Sequence, residues 1–247
     1  MSARTDDLID KLQKLADRSP EDLQVLQKFF RTGEGQYAEG DVFIGVRMPK
    51  IRLACKKYSD LKISEIDELL ECPVHEVRMA ALIIMTNQAA SKKTPESQKK
   101  SLFDLYLKRT DKIDNWDLVD VSCRDVVGGF LENKPRAILY KLAKSKSLWE
   151  RRISIVSTWA FIRKGDLDDT FRISEMLLGD SHDLIHKATG WMLREAGKKD
   201  RDQLLDFLDK HSSVMPRTAL RYAIEHLSVE QRMHFMAQKA QKRTNNA

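Results

Sequence analysis

Four segments of the chain repeat one form: a basic residue opens a short run of small and apolar side chains. They are Arg78-Met79-Ala80-Ala81-Leu82, Arg152-Ile153-Ser154-Ile155-Val156, Lys187-Ala188-Thr189-Gly190-Trp191 and Arg221-Tyr222-Ala223-Ile224-Glu225. The basic residues lie 74, 35 and 34 positions apart (152−78, 187−152, 221−187). The first gap is about two periods, and its middle holds Asn115-Trp116-Asp117-Leu118-Val119-Asp120. A recurrence of roughly 35 to 40 residues, with apolar residues at helical spacing, predicts one helix pair per period stacked into a solenoid. Stacked units need no single large core, which suits a chain of 247 residues.

Punctuation agrees with an all-α fold. Ten Gly and six Pro are too few for the turns of an all-β protein. Leu8, Leu12 and Leu15 form a first amphipathic stripe; Leu23, Leu26, Phe29 and Phe30 form a second after Ser19-Pro20-Glu21, where proline suits the first helical turn. A turn-rich stretch runs from Gly33 to Pro49, and the segment 33–45, with Tyr37, has no role assigned from sequence beyond packing. Helices are predicted to begin near Pro49, Ser64, His75, Pro95, Asn115, Pro135, Leu148, Leu167, Asp183, Arg201, Pro216 and Val229. The expected organisation is one repeat domain over 1–240, with N-terminal helices and loop over 1–48, repeats over 49–240 and a frayed tail over 241–247.

Lys plus Arg number 43 against 37 Asp plus Glu, a net charge of +6, with a pI near 9.1. That balance tilts the partner modestly toward a polyanion. In a solenoid, equivalent helices line one surface, so a recurring basic residue would build a positive groove. The competing reading is that these residues only form salt bridges within the array. The middle repeat differs, offering aspartate and tryptophan where the others offer Arg or Lys. Three widely spaced cysteines, Cys55, Cys72 and Cys123, lack a CxxC spacing and are consistent with a reducing cytoplasm. No signal peptide or membrane-length apolar run is found, so no membrane association is expected.

Few residues carry candidate chemistry. Trp116 and Asp120 are four apart and share a helix face, whereas Asp117 points elsewhere. Compensation of the helix dipole explains Asp117 in the first turn and explains Asp120 less well. Trp191 follows Lys187 by four positions and precedes Arg194 by three, so the three share a broad face. Trp149 and Trp159 are expected to be packing residues. His182 and His186 are four apart but lack HExxH and a third ligand, and no phosphate or dinucleotide loop is present. Cys123 is expected to be a buried thiol, and Gly128-Gly129 to permit close helix packing or a kink. No metal or organic cofactor is implied.

Five segments, in order, resemble the AlkD-type DNA alkylation repair glycosylases, which are built from HEAT-like repeats. They are Phe43-Ile44-Gly45-Val46-Arg47-Met48-Pro49-Lys50-Ile51-Arg52; Asn115 to Asp120; Leu148-Trp149-Glu150-Arg151-Arg152; Lys187 to Glu195; and Met215-Pro216-Arg217-Thr218-Ala219-Leu220-Arg221-Tyr222-Ala223-Ile224-Glu225. The resemblance implies HEAT-like antiparallel helix pairs stacked into a C-shaped array, with duplex DNA in a concave basic groove. It implies hydrolysis of the N-glycosidic bond of cationic N3- and N7-alkylpurines without flipping the base. Carried over by motif, Asp120 is the catalytic carboxylate, Trp116 and Trp191 flank the lesion sugar, and Arg152 holds phosphate beside the site. Arg47, Lys50, Arg78, Arg151, Lys187, Arg194, Arg217 and Arg221 are the expected DNA contacts. The partner is double-stranded DNA containing alkylated purines, the chain a monomer, and its location the bacterial cytoplasm or nucleoid.

The chemistry is consistent with that implication. A purine alkylated at N3 or N7 already carries positive charge and leaves neutral, so no general acid is needed; ordinary glycoside hydrolysis needs two carboxylates. One carboxylate can stabilise the oxocarbenium-like sugar and orient water, and indole faces favour the same cation. Two other readings remain: a non-catalytic DNA-structure binder on this scaffold, which has no need of the acid, and a protein-binding helical-repeat scaffold.

Overall fold

The computed structural model describes residues 2–238; the expected tail over 241–247 lies outside the described residues. Among the described residues the regular structure is helical, with a long connection over residues 31–47 that forms one isolated β-bridge, Val42 to Val74. The chain divides into two compact units, Met1–Phe130 and Leu131–Ala247.

The first unit contains α1 (Ala3–Leu15), α2 (Pro20–Phe30), α3 (Met48–Cys55), α4 (Ile63–Leu70), α5 (His75–Ala90), α6 (Glu96–Lys108) and α7 (Trp116–Cys123). A π-helical turn over Arg124–Gly128 follows α7 and leads into the short α8 (Gly129–Leu131). Their starts follow local chemistry. The Ser2 and Ser19 hydroxyls accept the Thr5 and Asp22 N–H groups, and Pro20 sits in the first turn of α2, where its missing N–H is harmless. Helix α5 is the spine of the unit. It is buried along most of its length, from His75 to Met85, and packs against α3, α4, α6 and α7. Its low amphipathicity follows from that position, because a helix covered on several sides has no solvent stripe to keep polar.

The second unit contains α9 (Ala137–Ala143), α10 (Leu148–Ser157), α11 (Trp159–Ile162), α12 (Asp168–Leu177), α13 (Asp183–Gly197), α14 (Arg201–His211), α15 (Arg217–Ala223) and α16 (Val229–Ala237). Here α10 packs on α13 and α13 on α15, while α9 packs on α10 and α12, giving two layers of stacked helices. Side-chain caps again mark the starts: Ser147, Asp200 and Ser228 accept N–H groups of Glu150, Gln203 and Gln231. The core joins Leu193, Leu204, Leu208, Leu220 and Phe235 from successive helices.

Helix starts near Pro49, His75, Asn115, Leu148, Asp183, Arg201, Pro216 and Val229 lie within one or two residues of those predicted. The α2 stripe differs from expectation. Phe30 is buried, but Phe29 is 62 % exposed, because the adjacent position turns its ring out of the core. The Gly128-Gly129 pair lies where the π-helical turn Arg124–Gly128 ends, and a Cβ at Gly129 would meet the Arg124 carbonyl at 3.8 Å.

Candidate functional site

Trp116 and Asp120 stand on α7, Trp116 at its first position and Asp120 one turn on, both half-buried. Helix α7 begins where it does because Asn115 is extended and its side-chain oxygen accepts the Trp116 N–H at 2.8 Å. Phe30 stacks on the Trp116 indole (centroids 5.5 Å apart, planes 11° apart), and Phe29 meets it edge-on at 5.7 Å. Such pairs fix an aromatic ring by shape and quadrupole.

Asp117 is engaged elsewhere. One carboxylate oxygen accepts from Nε2 of His75 at 2.9 Å and the other from the Leu118 N–H at 2.8 Å. Nδ1 of His75 donates to Asp41 at 2.7 Å. Burial pushes the His75 imidazole toward neutrality, but Asp117 and Asp41 outweigh it and raise its pKa from 6.5 to about 9. Burial likewise opposes ionisation of Asp41, yet His75 and Arg78 hold its carboxyl below the ordinary range.

Around this cluster the Phe43-to-Arg52 segment acquires a structural reason. The buried Glu76 carboxylate accepts the N–H groups of Ile44 (3.1 Å), Gly45 (2.7 Å) and Val46 (3.2 Å). Successive N–H groups converge on one anion only when the chain makes a concave turn. Gly45 supplies it with φ +84°, and a Cβ there would lie 2.9 Å from side-chain carbons of Arg18 and Leu23.

In the second unit, Trp191 on α13 is half-buried and meets Trp159 edge-on at 5.1 Å. Arg152 on α10 is buried, 5 % exposed, and donates to the Leu184 carbonyl at 2.5 Å. Lys187 pairs with Asp183 at 2.7 Å. His182 caps α13 by accepting the Leu184 N–H, and His186 reaches the Asp180 carbonyl, so these two rings serve the helix start.

The basic residues expected to contact DNA divide into two groups. Arg78 is 5 % exposed and bonds Asp41 (2.9 Å), Asp114 (3.0 Å) and the carbonyls of Cys72 and Pro73. Arg151 pairs with Asp180 at 2.6 Å and with the carbonyls of Ser145 and Lys146. Arg194 pairs with Glu225 and Glu195. Arg217 donates to the carbonyls of Met236 and Gln238. These four fasten helices within their own unit, often to an acid about one repeat further along. By contrast Arg47 and Arg221 are exposed, and Lys50 holds Asp17 at the surface at 2.8 Å.

Sequence reasoning did not find Phe29, Phe30 and His75 around Trp116 and Asp117, nor Trp159 as the partner of Trp191. For Trp159 a signal existed: it precedes Trp191 by 32 positions, close to one repeat. His75 and Phe30 have no local signature, since both read as ordinary helix-terminal residues.

Similarity to known proteins supports the same direction. A structure of a predicted DNA alkylation repair enzyme from Enterococcus faecalis superposes with a TM-score of 0.65 at 15% identity, covering 86% of this chain and 98% of that one. At that identity the likeness shows the fold. No protein of curated function matches the sequence. The family model for DNA alkylation repair enzymes matches residues 8–227, nearly the whole chain, and the protein belongs to that family.

Proposed function

We propose that the protein is a monofunctional DNA glycosylase that hydrolyses the N-glycosidic bond of cationic N3- and N7-alkylpurines in duplex DNA without flipping the base. The observation that carries this reading is the setting of Trp116 and Asp120 on α7. They stand one turn apart on one helix, and the Trp116 indole is fixed by Phe29 and Phe30. One carboxylate beside an indole face suits a leaving group that is already cationic. The bond breaks toward a neutral purine, the sugar gains oxocarbenium character, and water oriented by Asp120 adds to it. Trp116 and Trp191 would face the sugar and favour its positive charge. By its place in the motif, Arg152 would hold phosphate beside the site.

For duplex contacts we propose Arg47, Arg221, Lys50 and Lys187. The first two are exposed, and the last two sit in surface ion pairs worth about 0–1 kcal/mol, which a phosphate can replace. Arg78 is left out, since its guanidinium is buried against Asp41 and Asp114. Such a protein acts as a monomer in the cytoplasm, on DNA.

The test is release of free base from duplex DNA containing N7-methylguanine, with chelator present, comparing wild type with Asp120→Asn. The expected result is release by wild type and a loss of at least about a hundredfold in the variant, with DNA binding kept or slightly tighter. Equal release by both would remove Asp120 from the mechanism. Binding without release by either, on N3-methyladenine as well, would make the protein a DNA-structure binder.

A further inference from the structure

The proposed chemistry makes no direct use of His75, yet His75 contacts both the second residue of α7 and the ring stacked on its first. It is the first residue of α5, and its side chain is buried. Its two nitrogens bridge Asp41, in the segment before α3, and Asp117, the second residue of α7. Both partners are carboxylates, which only accept. An imidazole can donate from both nitrogens only as the cation; either neutral tautomer would set a lone pair against one carboxylate.

The ring also works through its faces. It stacks on Phe43 (4.3 Å between centroids) and lies 5.3 Å from Phe30, which in turn stacks on Trp116. One side chain therefore restrains two consecutive residues of α7, Asp117 by a hydrogen bond and Trp116 through Phe30. Asp120 follows one turn later on the same eight-residue helix. A cavity of about 130 Å³ lined by Phe30, Phe43, Met79, His75 and Asp117 adjoins this stack, so the rings have room to shift if the bridge is lost.

We infer that His75 is a positioning residue: by bridging Asp41 and Asp117 and bearing on Phe30, it sets the orientation of the Trp116 indole and, through α7, of the Asp120 carboxylate. Its effect on rate rests on the proposed glycosylase reading; its effect on Trp116 does not. The other charged groups near the bridge are Arg78, Glu76 and Arg18. Arg78 bonds Asp41 and Asp114, Glu76 is bonded to the Ile44–Val46 N–H groups, and Arg18 lines the same cavity.

The experiment uses the full chain labelled with 5-fluorotryptophan and read by ¹⁹F NMR, with the Trp116 resonance assigned by its loss in Trp116→Phe. His75→Phe keeps an aromatic ring and removes both hydrogen bonds; Asp117→Asn removes the charge from one end. Both should shift or broaden the Trp116 resonance and leave those of Trp149, Trp159 and Trp191 in place. Both should slow single-turnover release of N7-methylguanine by about ten- to a hundredfold, with little change in DNA Kd. An unmoved Trp116 resonance and an unchanged single-turnover rate in folded His75→Phe would overturn the inference. If neither variant folds, the wild type decides: its Trp116 resonance should titrate with a midpoint near 9, and a flat response from about pH 7 to 10 would overturn it. If the wild type releases no base, the glycosylase reading fails, and the Trp116 resonance alone still tests the role of His75.

Discussion

Asp117, three residues before Asp120 on one short helix, shows how a carboxylate is committed to holding the fold. The sequence places Trp116 and Asp120 on a common face and Asp117 off it. It does not show what Asp117 faces, because His75 is 42 positions away in the chain. The bridge it forms carries a stability consequence. His75 has a folded pKa of about 9, raised above its ordinary 6.5. Its contribution is fully present below pH 6.5, fades as pH rises, and is lost above about 9; a shift of that size is on the order of 3 kcal/mol. Urea unfolding over that pH range should therefore show falling stability in wild type and a flatter profile in His75→Gln. Parallel profiles would mean that the imidazole is not held as a cation. A second prediction concerns Arg152, whose replacement by Ala should weaken DNA binding and base release together and reduce the salt slope of binding by about one. An unchanged slope would assign Arg152 to packing under the Leu184 carbonyl.

Helices were readable as elements because their starts are written in short-range chemistry: Ser19-Pro20, Ser147, Asp200 and Ser228 each satisfy N–H groups that the helix cannot. The interior glycines were less readable, because their reason lies on the next helix. Gly190 is buried in α13, and a Cβ there would come within 2.4 Å of the Ala219 carbonyl oxygen and 2.5 Å of the Tyr222 Cβ on α15. Gly190→Ala should improve local helix propensity and yet lower unfolding free energy by about 1–3 kcal/mol, since backbone on α15 must move. Thermal unfolding measures the balance, and a stabilised variant would show that α13 and α15 can separate without penalty. The π-helical turn after α7 could not be read from a 3.6-residue pattern, which has no place for one extra residue in a turn.

For the molecule as a whole, the basic residues expected to contact DNA carry two meanings. Arg78, Arg151 and Arg194 pair with acids 29 to 37 positions away, about one repeat to one side or the other, so these side chains first serve to join neighbouring helices. That was the competing reading of the sequence, and it holds for these side chains. Under the proposed function, electrostatic binding of DNA would depend on fewer cations than the expected contacts number. Affinity for undamaged duplex should fall linearly in log K against log salt, because phosphates are neutralised by counterion release. Joint replacement of Arg47, Lys50, Lys187 and Arg221 by Ala should flatten that line, while Arg194→Ala should chiefly lower stability. A steep slope surviving the quadruple variant would move the DNA contacts elsewhere.

Sequence alone determined that the chain is all-helical and where most of its helices start. These properties depend on spacing, capping and period, which are local and survive in one dimension. Tertiary structure decided which charges are available and which are engaged. The sequence cannot distinguish an exposed Arg221 from a buried Arg78, or show that Asp117 is bridged by His75. Burial and pairing arise between residues tens of positions apart, and the low dielectric they share sets whether a charge serves the fold or a ligand.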